Sequence, residues 1–308
     1  MPTYGMGDAI REMRIRLGYT QEELSYGICT PGTLSRIENG RAVISKRVFE
    51  ALCSRIPELH HVWIACDTKT EMQRSKLCKQ ILHCLEFRRL EEAKDKMRRY
   101  SMLKDEKNPF CMQFMYYTWG VYQAIRKERE EDVLPLLQKA LQITMPDYKE
   151  RLVRQKKPSV LTYDEVYILS NMGIAQMKQQ NNMKKADFLL EYLENYFDKR
   201  ELETSESMKA CPMILGNRAW LFECQGRFEE AVKYCESGME ICRFTGRYTV
   251  LPYLLCVKAR CFTASGSLKM AENCRRQAKA ILDVTEEYRG YGCFEEFYEA
   301  REPIYVTF

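Results

Sequence analysis

The N-terminal part of the chain consists of short amphipathic stretches separated by single glycines. Apolar residues from Ala9 to Leu17 recur every three or four positions, which predicts a helix over residues 7–17. Gly18 is predicted to end this helix, because glycine adopts the left-handed conformation of a helix C-terminus without strain. The same pattern predicts three more short helices before residue 57.

Capping residues mark the starts of the second and third helices. Thr20 and Glu23 have the spacing of a capping box, and Gly27 stops the helix that they begin. Thr30 caps the third helix, in which Pro31 takes the first helical position, where a missing N–H costs nothing. The side chains predicted to point inward are those of Leu24, Leu34 and Ile37.

Gly40 ends the third helix, and Ser45 starts a fourth that buries Phe49, Leu52 and Ile56. Two short helices joined by a tight turn, the later one starting with small residues, are typical of a helix-turn-helix, whose later helix enters the major groove of DNA. Small residues at that position let the backbone approach the base edges. The caps alone are equally compatible with a plain helical bundle.

From residue 70 onward the pattern is one long amphipathic helix after another, with short polar loops and no convincing strand alternation. The clearest unit covers residues 215–241, where two helices meet at Gly226 and small residues alternate with aromatic ones. This unit resembles a tetratricopeptide repeat, in which small side chains let paired helices approach and aromatics fill the neighbouring hole. The residues in question are Ala219, Phe222, Phe228, Ala231 and Tyr234.

Weaker copies of the unit occur around Ala93, Ala140, Ala186 and Ala271. The spacing between equivalent alanines in the later copies is about 40 to 45 residues, longer than the repeat of about 34 that defines the family. We therefore expect an all-α protein in which a helix-turn-helix domain precedes a right-handed, TPR-like α-solenoid. An irregular helical bundle is the alternative.

The segment IREMRIRLGYTQEELSYGICTPGTLSRIENGR, residues 10–41, is similar to the Cro/repressor-type helix-turn-helix. Within it, LSYGICTPGTLSRIENG resembles the version found in the Rgg/PlcR-type peptide-responsive regulators of Gram-positive bacteria. The resemblance implies a DNA-binding domain over residues 1–66. It also implies that residues 67–308 form a linker helix and a repeat domain for peptide sensing and dimerisation.

The resemblance also implies roles for individual residues of the DNA-binding domain. Gln21 approaches a phosphate and helps to hold the recognition helix, while Arg36 bonds a guanine edge through its guanidinium. Pro31 and Gly32 stand where relatives often have polar side chains, so groove shape is expected to take a larger share of the specificity. Glu38 is expected to anchor the helix from the domain interior. The residues predicted to face the groove are Thr30, Gly32, Thr33 and Arg36, and the phosphate contacts Asn39, Arg41, Lys46 and Arg47.

The concave face of such a solenoid suits an extended peptide, whose backbone needs amide partners. Asn171 and Asn217 occupy near-equivalent points of two first helices, predicted over residues 163–180 and 208–225, and are the leading candidates for contacts with the peptide. The alternative is that both asparagines are solvated and that the neighbouring aromatics belong to the core. Further candidates along the same channel are Tyr167, Met213, Tyr116, Trp119 and Arg126.

Composition narrows the function classes. The 14 cysteines include no C-x-x-C pair and mostly have apolar neighbours, so we expect buried thiols, no structural metal and no cofactor. Motifs for phosphate-binding loops, nucleophilic serines or zinc proteases are absent, which argues against an enzyme. The sequence has no long apolar run, and we expect a cytoplasmic protein that does not contact a membrane.

We therefore expect a transcriptional regulator that binds a double-stranded operator as a homodimer. A short signalling peptide in the repeat domain would alter the dimer and its affinity for DNA. The alternative is a repressor whose repeats bind a protein partner or only mediate oligomerisation. The aromatic stretch at residues 291–308 is expected to cap the last repeat or to pack across a dimer.

Overall fold

The computed structural model describes residues 6–56, 69–103, 106–127, 130–154, 161–180, 182–198, 208, 210–246, 248–285 and 288–305. These residues form sixteen α-helices and contain no strand, so the prediction of an all-α protein is confirmed. The first four helices are α1 (Met6–Arg16), α2 (Gln21–Ser25), α3 (Pro31–Glu38) and α4 (Lys46–Arg55).

The remaining helices follow one another with short connections. They are α5 (Lys69–Glu86), α6 (Leu90–Leu103), α7 (Pro109–Arg126), α8 (Val133–Thr144), α9 (Tyr148–Arg154), α10 (Tyr163–Gln180), α11 (Met183–Asp198), α12 (Cys211–Cys224), α13 (Phe228–Thr245), α14 (Leu251–Ala264), α15 (Leu268–Thr285) and α16 (Phe294–Ala300). In the part of the chain that the structure describes, no helix combines the length and apolarity needed to span a membrane.

The caps that the sequence predicts are present in the N-terminal domain. The Thr20 hydroxyl accepts a hydrogen bond from the backbone N–H of Glu23, and the Glu23 carboxylate accepts one from the backbone N–H of Thr20. The hydroxyls of Thr30 and Ser45 accept hydrogen bonds from the backbone N–H groups of Thr33 and Val48, and these bonds cap α3 and α4. The apolar sides of the four helices meet in one core, formed chiefly by Ile10, Leu24, Leu34, Ile37, Leu52 and Ile56.

Five helical hairpins make up most of the rest of the chain: α5 with α6, α7 with α8, α10 with α11, α12 with α13, and α14 with α15. The alanine that identified each copy lies buried on the second helix of its hairpin, where a larger side chain would separate the pair. The first helices, α5, α7, α10, α12 and α14, contact one another in chain order. We call these five helices the inner row, and the solenoid-like arrangement confirms the predicted repeats.

The N-terminal domain is fixed to the repeats by buried polar contacts. Arg55 at the end of α4 is 1% exposed, donates to the carbonyl of Leu24 at 2.9 Å and lies 3.8 Å from the carboxylate of Glu165 on α10. Thr144 donates to the same carboxylate at 2.7 Å. Gly27 packs against the backbone of Thr144 so closely that a Cβ there would overlap its carbonyl oxygen. The domain boundary predicted at residue 66 lies outside the described residues.

A second contact joins the turn after α2 to the start of α9. Tyr26 donates its hydroxyl to Asp147, and the guanidinium of Arg151 lies 3.6 Å from the centre of the Tyr26 ring. Burial and the hydrogen bond to Asp147 raise the pKa of Tyr26, so its hydroxyl stays protonated. The two regions therefore meet along a defined surface that involves α8, α9 and α10.

Candidate functional sites

The first candidate site is the exposed side of α3. Thr30, Pro31, Gly32 and Arg36 are exposed and Thr33 is half-buried, while the opposite side of the helix lies in the core. The hydroxyls of Thr30 and Thr33 hydrogen-bond each other at 2.9 Å, and Arg36 extends along the same side. The four residues predicted to face a DNA groove thus share one accessible surface.

Glu38 holds α3 from behind. Its side chain is 1% exposed and accepts hydrogen bonds from Arg14 of α1 at 2.5 and 2.9 Å and from Gln21 of α2 at 2.7 Å. Arg14 also donates to the carbonyl of Tyr19 at 2.8 Å. One carboxylate therefore connects three helices, as the sequence-based expectation of an interior anchor requires. Gln21 holds α3 through this bond, and its contact with a phosphate stays a prediction.

The predicted phosphate contacts have different surroundings. Asn39 and Arg41 are exposed directly after α3, and the Asn39 amide donates to the carbonyl of Ser35 at 2.7 Å. Arg47 is half-buried and donates to the carbonyl of Lys107 at 3.2 Å, so it also joins the domain to the repeats. The side chain of Lys46 lies outside the described residues. Asn39 and Arg41 are therefore the two best-placed candidates.

The second candidate site lies on the inner row, and residues 301–305 occupy it. We call these residues the tail segment. It follows α16, starts at the C-cap residue Arg301, whose φ is 49°, and has no regular secondary structure. Pro303 has no N–H to satisfy, and a residue before proline prefers an extended backbone. The tail segment is thus well suited to lie along a surface as an extended chain.

The two asparagines predicted to contact a peptide both bind the backbone of the tail segment. Asn217 donates to the carbonyl of Ile304 at 2.9 Å and accepts from its N–H at 2.9 Å. Asn171 donates to the carbonyl of Tyr305 at 2.7 Å and to that of Tyr167 at 2.9 Å. The Oδ1 atom of Asn171 has no hydrogen-bond partner among the described residues. The amide groups predicted to bind a peptide thus bind the backbone of the chain itself.

Three further side chains hold the tail segment, and the sequence analysis missed all three. Trp220 donates to the carbonyl of Arg301 at 2.9 Å, and Lys178 and Lys127 each lie 2.6 Å from the carboxylate of Glu302. Burial by itself raises the pKa of Glu302, but the hydrogen bonds from the two lysines outweigh it and lower that pKa. The sequence could have indicated two of them. Trp220 lies three residues after Asn217 and Lys178 seven residues after Asn171, and residues at these spacings share one side of a helix.

Apolar contacts complete this site. Ile304 and Tyr305 are 2% and 6% exposed, and a Cβ at Gly216 would lie only 3.2 Å from the Cδ1 of Ile304. The absence of a side chain at Gly216 lets the tail segment approach α12. The cavities beside the segment measure about 40 and 10 Å³, far below the roughly 300 Å³ of a small ligand pocket. The tail segment therefore fills the site.

The other residues proposed for a peptide channel are packed within the repeats. Met213 is fully buried and Tyr167 is 8% exposed, both in the main hydrophobic core. The ring of Tyr116 lies 4.4 Å from Nζ of Lys139 on α8, and that of Trp119 packs edge-on against Tyr122. Arg126 donates to the hydroxyl of Tyr122 at 3.4 Å. The neighbouring Lys127 forms an ion pair with Glu302 of the tail segment.

The aromatic C-terminal stretch divides into two parts. Tyr298 of α16 packs on the last hairpin, where it lies 4.6 Å from the guanidinium of Arg275 and accepts a hydrogen bond from Arg260 at its carbonyl. This contact agrees with the expectation that the stretch caps the last repeat. The sequence analysis expects the stretch to cap the last repeat or to pack across a dimer. Neither alternative predicts that the tail segment lies on α12 and α10.

The structure also bears on redox and metal chemistry. The thirteen described cysteines are free thiols, and most are buried. Burial raises the pKa of Cys256 and Cys261 to about 12, so both remain protonated at neutral pH. Within the described ranges, no group of histidine, cysteine and carboxylate side chains is arranged to hold a metal ion.

Comparisons with known proteins agree with this architecture. Residues 6–56 match a family described as a helix-turn-helix domain. Comparison with curated proteins gave no match. Among solved structures, the SHP pheromone receptor Rgg2 of Streptococcus dysgalactiae is 14% identical and covers 95% of this chain and 98% of its own, but its TM-score of 0.44 is too low to indicate a shared fold.

Two crystal structures of PlcR from Bacillus thuringiensis are more similar. The complex of PlcR with the peptide PapR7 and DNA is 19% identical with a TM-score of 0.59, covering 96% of this chain and 98% of PlcR. The apo form is 19% identical with a TM-score of 0.56, covering 96% and 97%. The chain therefore contains a helix-turn-helix domain at residues 6–56 and has, over almost its whole length, the fold of PlcR.

Proposed function

We propose that the protein is a sequence-specific DNA-binding transcriptional regulator whose repeat domain responds to a short peptide. The observation that carries the DNA-binding part is the accessible side of α3, where four predicted groove contacts lie together while Glu38 fixes the helix to α1 and α2. A recognition helix must be held rigidly from behind, because base-edge hydrogen bonds require fixed geometry. Asn39 and Arg41 lie beside it as phosphate contacts.

The active form in this proposal is a homodimer. Each helix-turn-helix reads one half-site, and half-sites lie about one helical turn or a multiple of it apart. If each protomer neutralises about four phosphates, the logarithm of the DNA association constant falls with the logarithm of salt concentration at a slope of about −7. A peptide that alters the repeats would change the distance or angle between the two domains and so the affinity for DNA.

Two observations support the peptide part. Asn171 and Asn217 hold an extended backbone on the inner row, which is the chemistry that peptide recognition requires. PlcR, whose fold this chain shares, was crystallised in complex with a peptide and DNA. The PlcR complex supports a peptide as the ligand class and leaves the identity of the peptide open.

A second candidate is supported by the occupied inner row. Because the tail segment already bonds both asparagines, a regulator without any peptide ligand, whose repeats bind a protein or only mediate oligomerisation, is consistent with the same contacts. The two candidates differ in whether a free peptide changes DNA binding.

The test begins with selection of an operator from a random duplex library by the full-length protein. DNA affinity is then measured by fluorescence anisotropy between 50 and 300 mM salt, with and without peptides eluted from protein purified from its natural host. We expect a steep salt slope, a preference for the selected operator and a change in affinity with at least one eluted peptide. A flat salt slope with no sequence preference would contradict DNA binding, and unchanged affinity with every peptide would favour the second candidate.

A further inference from the structure

The hydrogen bonds between Asn217 and Ile304 select backbone rather than sequence. An asparagine side chain that both accepts from an N–H and donates to the C=O of one residue binds any extended segment that presents that pair. Trp220 and Asn171 add donors to carbonyls on either side, at Arg301 and Tyr305. The inner row therefore binds the main chain of the tail segment, and contacts with the side chains of a segment determine which segment is bound.

Charge and size supply that choice. Lys127, directly after α7, and Lys178 of α10 each lie 2.6 Å from the carboxylate of Glu302. Lys178 also donates to the Tyr305 hydroxyl at 3.0 Å. The side chain of Ile304 packs tightly against Gly216 of α12, where an added Cβ would lie 3.2 Å from its Cδ1. A segment that meets these conditions has an acidic residue two positions before an aliphatic one, followed directly by an aromatic residue.

We propose that the tail segment is a tethered ligand of the inner row and that a free peptide binds by displacing it. The ligand class that the site accepts is an extended peptide with the order acidic, any residue, aliphatic, aromatic. This inference rests on the proposed peptide response, because it assigns the ligand of that same site. It adds that the site is filled by the chain's own C-terminal residues before any peptide arrives.

The tether sets how strongly a peptide must bind. A short flexible linker gives an effective concentration of about 1 mM, and the tail segment, which directly follows α16, should have at least this value. With an intrinsic Kd of about 10 μM, it would then occupy its own site about 99% of the time. The same competition raises the apparent Kd of an identical free peptide about a hundredfold. A substitution that weakens the contacts of the tail segment, with the inner row unchanged, should remove most of this hundredfold increase in apparent Kd.

The experiment uses the full-length protein and a fluorescein-labelled synthetic peptide, REPIYVTF, which has the sequence of residues 301–308. The variant Glu302→Lys places a positive charge against Lys127 and Lys178 and so loosens the tail segment. Glu299→Lys makes the same change at an exposed position of α16 and serves as the matched control. Circular dichroism and thermal unfolding establish that each variant is folded.

We expect Glu302→Lys to bind the labelled peptide at least tenfold more tightly than the unmodified protein or Glu299→Lys. Peptide RKPIYVTF should not bind the loosened protein, and adding Asn217→Ala to Glu302→Lys should weaken binding of REPIYVTF roughly thirtyfold, because two hydrogen bonds to its backbone are lost. If Glu302→Lys lowers the helix content, Glu302→Gln provides the same comparison, because it removes the charge of Glu302 and loosens the tail segment to a smaller extent. A folded, loosened protein that binds REPIYVTF no better than the control would overturn the proposal.

The outcome is separable from that of the proposed function. If the loosened protein binds REPIYVTF but no eluted peptide alters DNA affinity, the tethered ligand stands and the peptide response fails. If an eluted peptide alters DNA affinity while REPIYVTF does not bind the loosened protein, the response stands and the tethered ligand fails.

Discussion

The exposed side of α3 and the inner row are prepared for their ligands in opposite ways. On α3, Thr30 and Thr33 bond each other and Arg36 extends into solvent, so a ligand would find these groups accessible. On the inner row, Asn217 already has its amide bonded to Ile304. DNA would thus add contacts to an open surface, whereas a peptide would exchange contacts with the tail segment. Affinity for DNA should follow salt and sequence, and affinity for a peptide should follow the strength of the tail segment's own contacts.

The largest effect expected concerns the support behind α3. Glu38→Ala leaves the guanidinium of Arg14 without its carboxylate in a mostly buried position, 12% exposed. Removing one partner of such a pair costs about 3–5 kcal/mol, because a buried charge remains uncompensated. Urea denaturation monitored by circular dichroism should show a loss of this size, with operator binding lost in parallel.

Glu22→Ala is the matched control for that change. Glu22 is an exposed carboxylate on α2, and its removal should change the free energy of unfolding by no more than about 0.5 kcal/mol. A loss in Glu38→Ala as small as in the control would mean that α3 is held by its apolar contacts alone. The open surface of α3 would then not depend on a polar anchor.

The next effect separates sequence readout from phosphate contact on the open surface. Arg36→Ala should reduce discrimination between the selected operator and a scrambled duplex by about 1–3 kcal/mol, since it removes the bidentate base contact that we propose for this side chain. Arg41→Ala removes the same charge beside the helix and should weaken both duplexes equally, lowering the salt slope by about one per protomer. Anisotropy titrations on both duplexes distinguish the two.

Arg243→Ala, on the exposed side of α13, removes an arginine far along the chain from α3 and should leave DNA binding unchanged. Equal losses on both duplexes for Arg36→Ala and Arg41→Ala would place Arg36 on the backbone of the DNA. Sequence preference would then arise from groove shape rather than from this side chain.

Local features of the N-terminal domain could be predicted from the sequence because their partners are near in the chain. The caps at Thr20, Thr30 and Ser45 each join residues three positions apart, and such bonds leave a short sequence pattern. The bounds of α10 were predicted correctly for a related reason, since residues 163–180 carry one continuous helical pattern. Asn171 and Asn217 were found by their equivalent positions in successive repeats.

The occupant of the inner row could not be predicted in this way. Asn217 and Ile304 are 87 residues apart, and the bonds between them use the backbone of Ile304, which every residue possesses. Lys127, which pairs with Glu302, directly follows α7 and has a left-handed backbone conformation with a φ of 61°. The sequence pattern around Lys127 does not indicate this conformation. The sequence therefore does not predict that the tail segment occupies the inner row, because the partners are far apart in the chain and bond through the main chain.

A moderate effect is expected when the occupied site is weakened directly. Asn217→Ala removes two buried hydrogen bonds to Ile304, each worth about 1 kcal/mol, so local opening of the tail segment should become roughly thirtyfold more frequent. Asn171→Ala removes one bond to Tyr305 and should increase opening roughly fivefold. Hydrogen exchange of the C-terminal peptide, followed by mass spectrometry, measures both.

Among the described residues, the side chains of Asn171 and Asn217 hydrogen-bond only to the repeats and the tail segment, so operator affinity without peptide should be unchanged in both variants. Equal exchange in Asn217→Ala and the unmodified protein would mean that Lys127, Lys178 and the apolar contacts hold the tail segment without the amide. The contrast between an open and an occupied site would remain, but its cause would be different.

The smallest effect concerns whether the two sites are mechanically separate. Tyr26→Phe removes the hydrogen bond to Asp147 at the contact between the N-terminal domain and α9, and should lower the free energy of unfolding by about 1 kcal/mol. Arg55 and Glu165 still join the domain to α10, the helix that also carries Asn171. Exchange of the tail segment should therefore stay as in the unmodified protein. If it becomes faster instead, loss of one distant contact loosens the inner row, α10 transmits strain between the two sites, and displacement of the tail segment would be felt at α3.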